Sequence, residues 1–383
     1  MPAPEHRSGS TAATGTGPGA RSSLGSLVAG AEVIVCAGPG GVGKTTTAAA
    51  IAVHAARCGR RACVVTIDPA RRLADALGLA ELDNEPRPVD GDWPDGGGLW
   101  ALMLDTKSTF DALVARYSAG PAQADAILAN RFYRNISGTL SGTQEYMAVE
   151  KLFELHESRH FDLVVVDTPP TRQALDFLDA PRRLVRFLDN RVFRLLMMPT
   201  RAGIRAVNLA TQLFLRTISR VVGAEVVRDA LAFFTAFEGL EEGFRDRTDR
   251  VESLLRSPAT AFVLVSTPRA AATAEGTYFA RRLAEGGLTV AVVVENRVLP
   301  RFALPAELLE GKDALERDPG EFGALLANAA DLEGMAASEE LHIARLVAST
   351  NGADLVRVPY LDDEVHDMEG LRSVADHLFA PGA

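Results

Sequence analysis

The chain reads as an α/β protein, a doubly wound and mostly parallel sheet with a helical subdomain. Three observations predict this. Short runs rich in Val and Ile, without polar alternation, recur along the 383 residues and are each followed by a helical stretch, the pattern of strands covered on both faces. A glycine-rich turn joins the first of these runs to the first long helix. Residues 181–256 carry no strand pattern, only helical runs broken at Pro199, Gly203, Gly223 and Gly239.

The elements follow in order. Residues 1–30 are Ala, Gly, Ser, Thr and Pro with few large apolar side chains, too little to offset the entropy of ordering, so a disordered tail is expected there. Val33-Ile34-Val35-Cys36-Ala37 is a buried strand. An alanine-rich helix over 44–57 follows and stops at Gly59. A second strand spans 62–67, a short helix 71–79, a loop rich in Asp, Gly and Pro 83–98, and a strand 99–104. Helical periodicity covers 108–130 and 143–158 around a break at 137–142. Residues 161–166 are a strand ending in Asp167. Strand patterns return at 261–265, 290–294 and 355–358, separated by helices over 271–285 and 321–349, and a last helix covers 364–379. Residues 31–383 are thus one domain, with the helical insertion at about 181–256.

Composition excludes several classes of function. A net charge of −10 lacks the concentrated basic face that nucleic acid requires. Cys36, Cys58 and Cys63 have no metal-knuckle spacing and fit a reducing cytoplasm. No run approaches the roughly 20 apolar residues that cross a bilayer, so an integral membrane protein is not expected. His54 and His366 are lone histidines and read as structural.

Chemistry concentrates in Gly38-Pro39-Gly40-Gly41-Val42-Gly43-Lys44-Thr45-Thr46, the phosphate loop of a P-loop NTPase set between a buried strand and a helix. Its glycines let backbone N–H groups converge on phosphate oxygens, and the helix adds the positive end of its dipole. Lys44 bridges the β- and γ-phosphates, and Thr45 offers Mg2+ a hydroxyl. Ligands of doubly wound sheets lie at the carboxyl ends of the strands, so the residues after each run form the rim: Asp68, Asp167, Asn296, and Pro359 with Tyr360. Asp167, at the end of a Val-Val-Val strand, is placed as the Walker-B-type carboxylate for Mg2+. Asp68 precedes Pro69 and reads equally as a helix cap or as a carboxylate touching the reacting water.

Together, residues 38–46, Thr66-Ile67-Asp68-Pro69-Ala70, Asp167-Thr168-Pro169-Pro170-Thr171 with Leu175-Asp176-Phe177-Leu178, and Pro359-Tyr360-Leu361 with Glu364-Val365 resemble the anion-pump ATPase family. This family holds the arsenite-pump ATPases and the ATPases that target tail-anchored membrane proteins. The resemblance covers about residues 31–380. It implies a dimeric ATPase using ATP and Mg2+, with a first switch at Asp68 and a second at residues 167–171. It also implies Asn296 at the adenine edge and Pro359 and Tyr360 beside the base.

Two departures stand out. Family members usually carry a second lysine where this chain has Pro39, which offers neither charge nor N–H. The cysteines that bind metalloid, and the zinc pair of the targeting ATPases, are absent as well. The expected function is a cytoplasmic dimeric switch ATPase that handles a protein client, with a hydrophobic or membrane-destined protein as the candidate. Alternatives are a nucleotide-binding regulatory subunit of a heteromer and the energy-coupling subunit of an anion efflux pump. Ten arginines interleaved with Phe, Leu and Met between Arg182 and Arg228 fit a surface that cradles a hydrophobic client or touches an anionic membrane, or an ordinary helical subdomain.

Overall fold

Eight strands hydrogen-bond in the order β3-β4-β2-β5-β1-β6-β7-β8, and every neighbouring pair is parallel except β3 with β4. They are β1 (Val33–Ala37), β2 (Arg61–Thr66), β3 (Arg87–Val89), β4 (Gly98–Met103), β5 (Leu163–Asp167), β6 (Thr260–Ser266), β7 (Val290–Val298) and β8 (Asp354–Pro359). The computed structural model describes residues 23–67, 72–136, 143–170, 224–237, 240–303, 305 and 321–380. Asp68, the 137–142 break, and the insertion from 181 to 223, with nine of the ten arginines between Arg182 and Arg228, lie outside the described residues.

The central strands are buried on both faces, as their unbroken apolar runs require. One face is covered by α2 (Lys44–Arg57), whose run of alanines lets it lie close to the sheet, and by α12 (Met368–Leu378). The other face is covered by α7 (Thr143–Glu157), α9 (Leu240–Leu255), α10 (Ala270–Glu285) and α11 (Glu321–Ala348). His54 stacks on Phe379, with ring centroids 3.5 Å apart, and burial holds its pKa below the ordinary value.

A third apolar cluster lies beside the sheet. It joins α4 (Thr106–Tyr117), α5 (Pro121–Leu128) and α6 (Arg131–Ile136) to α7, α8 (Ala224–Phe237) and α9 through Leu113, Ile127, Tyr133, Met147, Phe233 and Phe244. The helical layer therefore draws on two stretches of chain, 106–157, where helices were expected, and 224–255, the described end of the expected insertion, and the sequence did not show that the two pack together. Arg247 of α9 pins them together. Its side chain is 1% exposed, its Nε donates to Glu150 at 2.7 Å, its Nη1 donates to Glu157, and its Cζ lies 4.1 Å from the centre of the Phe153 ring.

Two expectations need correction. The tail expected over 1–30 does not hold for Ser23–Gly30, which form α1, with Leu24 and Val28 buried one helical turn apart in the same apolar cluster as α2; residues 1–22 lie outside the described residues. The loop expected over 83–98 contains β3, a three-residue antiparallel strand at the sheet edge. There Pro88 is tolerated because an edge strand need not donate on both sides.

Candidate nucleotide-binding site

The order of the strands creates the site. From β1 the chain passes through α2 and over β5 to reach β2, so β5 pairs with β1 on one side and β2 on the other. The register sets Cys36 and Thr66 opposite Asp167, at the level where the glycine-rich turn leaves β1. Thr45, in the first turn of α2, donates its hydroxyl to Asp167 Oδ2 at 2.7 Å, and Thr66 donates to the same oxygen at 3.1 Å. Asp167 is buried. Next to it Thr168 donates its hydroxyl to the Cys36 carbonyl at 2.9 Å, tying the segment after β5 to the end of β1.

The turn cannot be built with ordinary residues at two points. A Cβ on Gly38 would lie 1.9 Å from the Val265 carbonyl oxygen of β6, and one on Gly43 would lie 2.3 Å from the Asn296 amide nitrogen of β7. Gly43 also has φ +96°, in the left-handed region. Lys44 is 8% exposed and donates its ammonium to the Pro39 carbonyl at 2.7 Å, so its charge is already turned into the mouth of the loop. The burial of the Cys36 thiol pushes its pKa well above the ordinary value, which makes it an inert wall of the site.

The second half of the rim comes from β7 and β8. The sequence ended the β7 run at Val294, but the strand continues through Val298 and so carries Glu295, Asn296 and Arg297 as strand residues. Asn296 donates its Nδ2 to the Val42 carbonyl at 2.9 Å, and its Oδ1 accepts from the Arg297 N–H at 3.0 Å. Arg297 Nη1 reaches the Gly41 carbonyl at 3.5 Å. Pro359 closes β8 in register with Val298, and the Tyr360 N–H bonds to the Val298 carbonyl at 2.9 Å. Tyr360 lines, with residues 39–42 of the loop and Arg297, a cavity of about 570 Å3 that Thr267 and Glu339 also line.

Below this rim lies a residue whose burial sequence reasoning did not foresee. Glu295 is 0% exposed and faces the helix layer, and neither carboxylate oxygen has a hydrogen-bond partner. Burial first and the nearby Glu339 second push its pKa up to about 8, against a smaller opposing pull from Arg357. The only advance signal was its alternation with Asn296, visible once the strand is known to run four residues past Val294.

The site residues expected from the sequence thus fall in three groups. Gly38, Gly40, Gly41, Val42, Gly43, Lys44, Thr45 and Thr46 form the turn and the start of α2, and Asp167 meets them through Thr45. Asn296, Pro359 and Tyr360 lie on the adjoining rim. Asp68 follows the last described residue of the β2 segment and has no described position.

A glycine-rich turn between a central parallel strand and a buried helix, with a strand-end carboxylate beside its threonine, defines the class of P-loop NTPases. Within that class the chain belongs to the anion-transporting ATPase family, whose model matches residues 31–318. It is 31% identical to an uncharacterised protein of Streptomyces coelicolor over 75% of this chain and 67% of that protein. It is 26% identical to the ATPase ASNA1 homolog of Babesia bovis over 73% and 70%, and 31% identical to the ATPase get3 of Aspergillus terreus over 40% and 44%. This last match spans less than half of the fungal protein. Among the described residues no helix is long and apolar enough to cross a membrane.

Proposed function

We propose that this chain binds MgATP at the loop 38–46 and hydrolyses it as a cytoplasmic, dimeric switch whose nucleotide state controls the handling of a protein client. The contact between Thr45 and Asp167, 2.7 Å long, at the same loop whose Lys44 ammonium lies on the Pro39 carbonyl, carries the reading. Both groups are hard oxygen donors, the set that Mg2+ takes when it keeps most of its waters, and so they fit the ion. Bound there, Mg2+ would offset phosphate charge. Lys44 would exchange the Pro39 carbonyl for phosphate oxygens. The N–H groups of 41–45 and the amino end of α2 would complete the cradle.

Asp68 is assigned the role of orienting the attacking water, and the segment from Asp167 that of sensing the γ-phosphate through the Thr168 tie to β1. Pro359 and Tyr360 would flank the base. Asn296, with one amide hydrogen on Val42, keeps the other for a base edge. The client reading rests on the names of the relatives and on the helical layer beside the sheet. Pro39 favours a second reading, a nucleotide-binding subunit of a heteromer that needs a partner to turn over, because the loop carries only Lys44 as a formal cation.

Ligand-induced thermal stabilisation tests the site. Ligand at 100 times its Kd stabilises the native state by about 2.7 kcal/mol. MgATP is expected to raise the melting temperature of the parent and to leave Lys44→Ala unmoved. Equal stabilisation of the two would refute nucleotide binding at this loop.

A further inference from the structure

We propose that the end of β7 is a clamp that presets the phosphate loop, with Asn296 and Arg297 as positioning residues holding the carbonyls of Val42 and Gly41 on the loop's outer side. This rests on the nucleotide reading above. In a planar trans peptide the C=O and the N–H point in opposite directions, so fixing one fixes the other. Pinning the Gly41 carbonyl outward turns the Val42 N–H inward, and pinning the Val42 carbonyl does the same for the Gly43 N–H. Two donors of the cradle are thereby aimed before any ligand arrives, which removes an ordering cost from binding.

Three features of the chain are otherwise unexplained. The β7–β8 register slips between Asn296 and Val298, a bulge that breaks the ladder locally and re-aims a side chain. The bulged residue, Arg297, has φ +60°, a left-handed conformation that residues with a Cβ avoid and that is retained where function requires it. The Arg297 N–H bonds to Asn296 Oδ1, which locks that conformation and at the same time orients the Asn296 amide toward Val42. Gly43 then has to be glycine because the clamp occupies the space of its Cβ. Of the two points Asn296 is the stronger, at 2.9 Å and half-buried, while the exposed Arg297 reaches Gly41 at 3.5 Å.

The test compares the parent with Asn296→Ala, Arg297→Gly and Arg297→Lys. Calorimetry gives Kd for MgADP, a slowly hydrolysed MgATP analogue and base-free pyrophosphate, and melting gives the stability without ligand. Glycine relieves the left-handed strain, so Arg297→Gly is expected to melt higher than the parent while binding all three ligands about 3- to 10-fold more weakly, the effect of one hydrogen bond. In turnover KM should rise by the same factor with kcat unchanged, and Arg297→Lys should recover most of the affinity. Asn296→Ala should weaken pyrophosphate about 3- to 10-fold and ADP by at least as much, since ADP also loses its contact at the base edge. The clamp is overturned if Asn296→Ala loses ADP but not pyrophosphate, which would leave only a base contact. It is also overturned if Arg297→Gly binds as the parent does, or loses the triphosphate alone. A parent that binds none of the three refutes the nucleotide reading and the clamp with it.

Discussion

Replacing Glu295 with glutamine should stabilise this protein, and more strongly as the pH rises. The carboxyl is fully buried, has no hydrogen-bond partner on either oxygen, and keeps its proton up to about pH 8 against an ordinary 4.5. The folded-state pKa of an acid is raised here, so the native state binds this proton when the unfolded chain has already lost it. Its contribution is complete below pH 4.5, falls as the pH climbs, and levels off above 8. A shift of one pKa unit corresponds to about 1.4 kcal/mol, so the penalty approaches roughly 3 kcal/mol at pH 7 and 5 kcal/mol above pH 8.

Glutamine does not titrate, but it brings two amide hydrogens to a buried place where the carboxyl oxygens have no hydrogen-bond partner, and leaving them unpaired costs about 1–3 kcal/mol. The net gain at pH 7 is therefore about 0–2 kcal/mol and grows toward pH 8, and near pH 5 the variant is expected to equal or fall below the parent. Melting temperatures of both proteins from pH 5 to 9 read this directly. A difference that stays flat with pH, or that turns in favour of the parent toward pH 8, would refute the reasoning. In the second case the ionised carboxylate would be paired with Arg357 across the β7–β8 ladder.

Arg247→Ala is expected to cost about 3–5 kcal/mol, because it leaves Glu150 buried without its guanidinium, and to loosen the helical layer before the sheet. Hydrogen exchange that speeds up in α4–α9 ahead of β1 and β5 would confirm the order; uniform loss of protection would contradict it. Gly38→Ala places a Cβ 1.9 Å from a backbone oxygen of β6, a clash no rotamer relieves. It should lower the melting temperature as well as nucleotide binding, and a variant with parental stability would mean that β1 and β6 separate more easily than their ladder suggests.

What could be read from the sequence depended on how local the cause was. The turn 38–46 is specified within nine residues, and β1, β5 and β6 by runs that fail only if buried on one face, so these needed no tertiary information. Asp167 could be found because a carboxylate closing an apolar strand has few other reasons to be there. The meeting of Thr45 with Asp167 required the strand order, which no local pattern encodes. Helix α1 escaped notice because two buried residues in an eight-residue segment full of Gly and Ser give too weak a periodicity. The Arg247–Glu150 pair joins α9 to α7 across most of the insertion, and each partner alone looks like an ordinary surface charge. The burial of Glu295 was not legible because a run of valines gives no sign of where its strand stops.

The cover over α2 has a consequence for how the molecule is made. Ten of the fourteen residues of α2 are buried, and the helix that covers its outer side is α12. As the chain grows from Arg57 to Met368, the apolar flank of the helix that follows the glycine turn has no native neighbour there, and the ring of His54 has no Phe379 to lie against. Most of the sheet can assemble meanwhile, since β1 to β7 all precede Glu321. An emerging chain therefore holds a nearly complete scaffold whose most sensitive segment is still exposed to chaperones and proteases. It is covered on that side only when α12 docks.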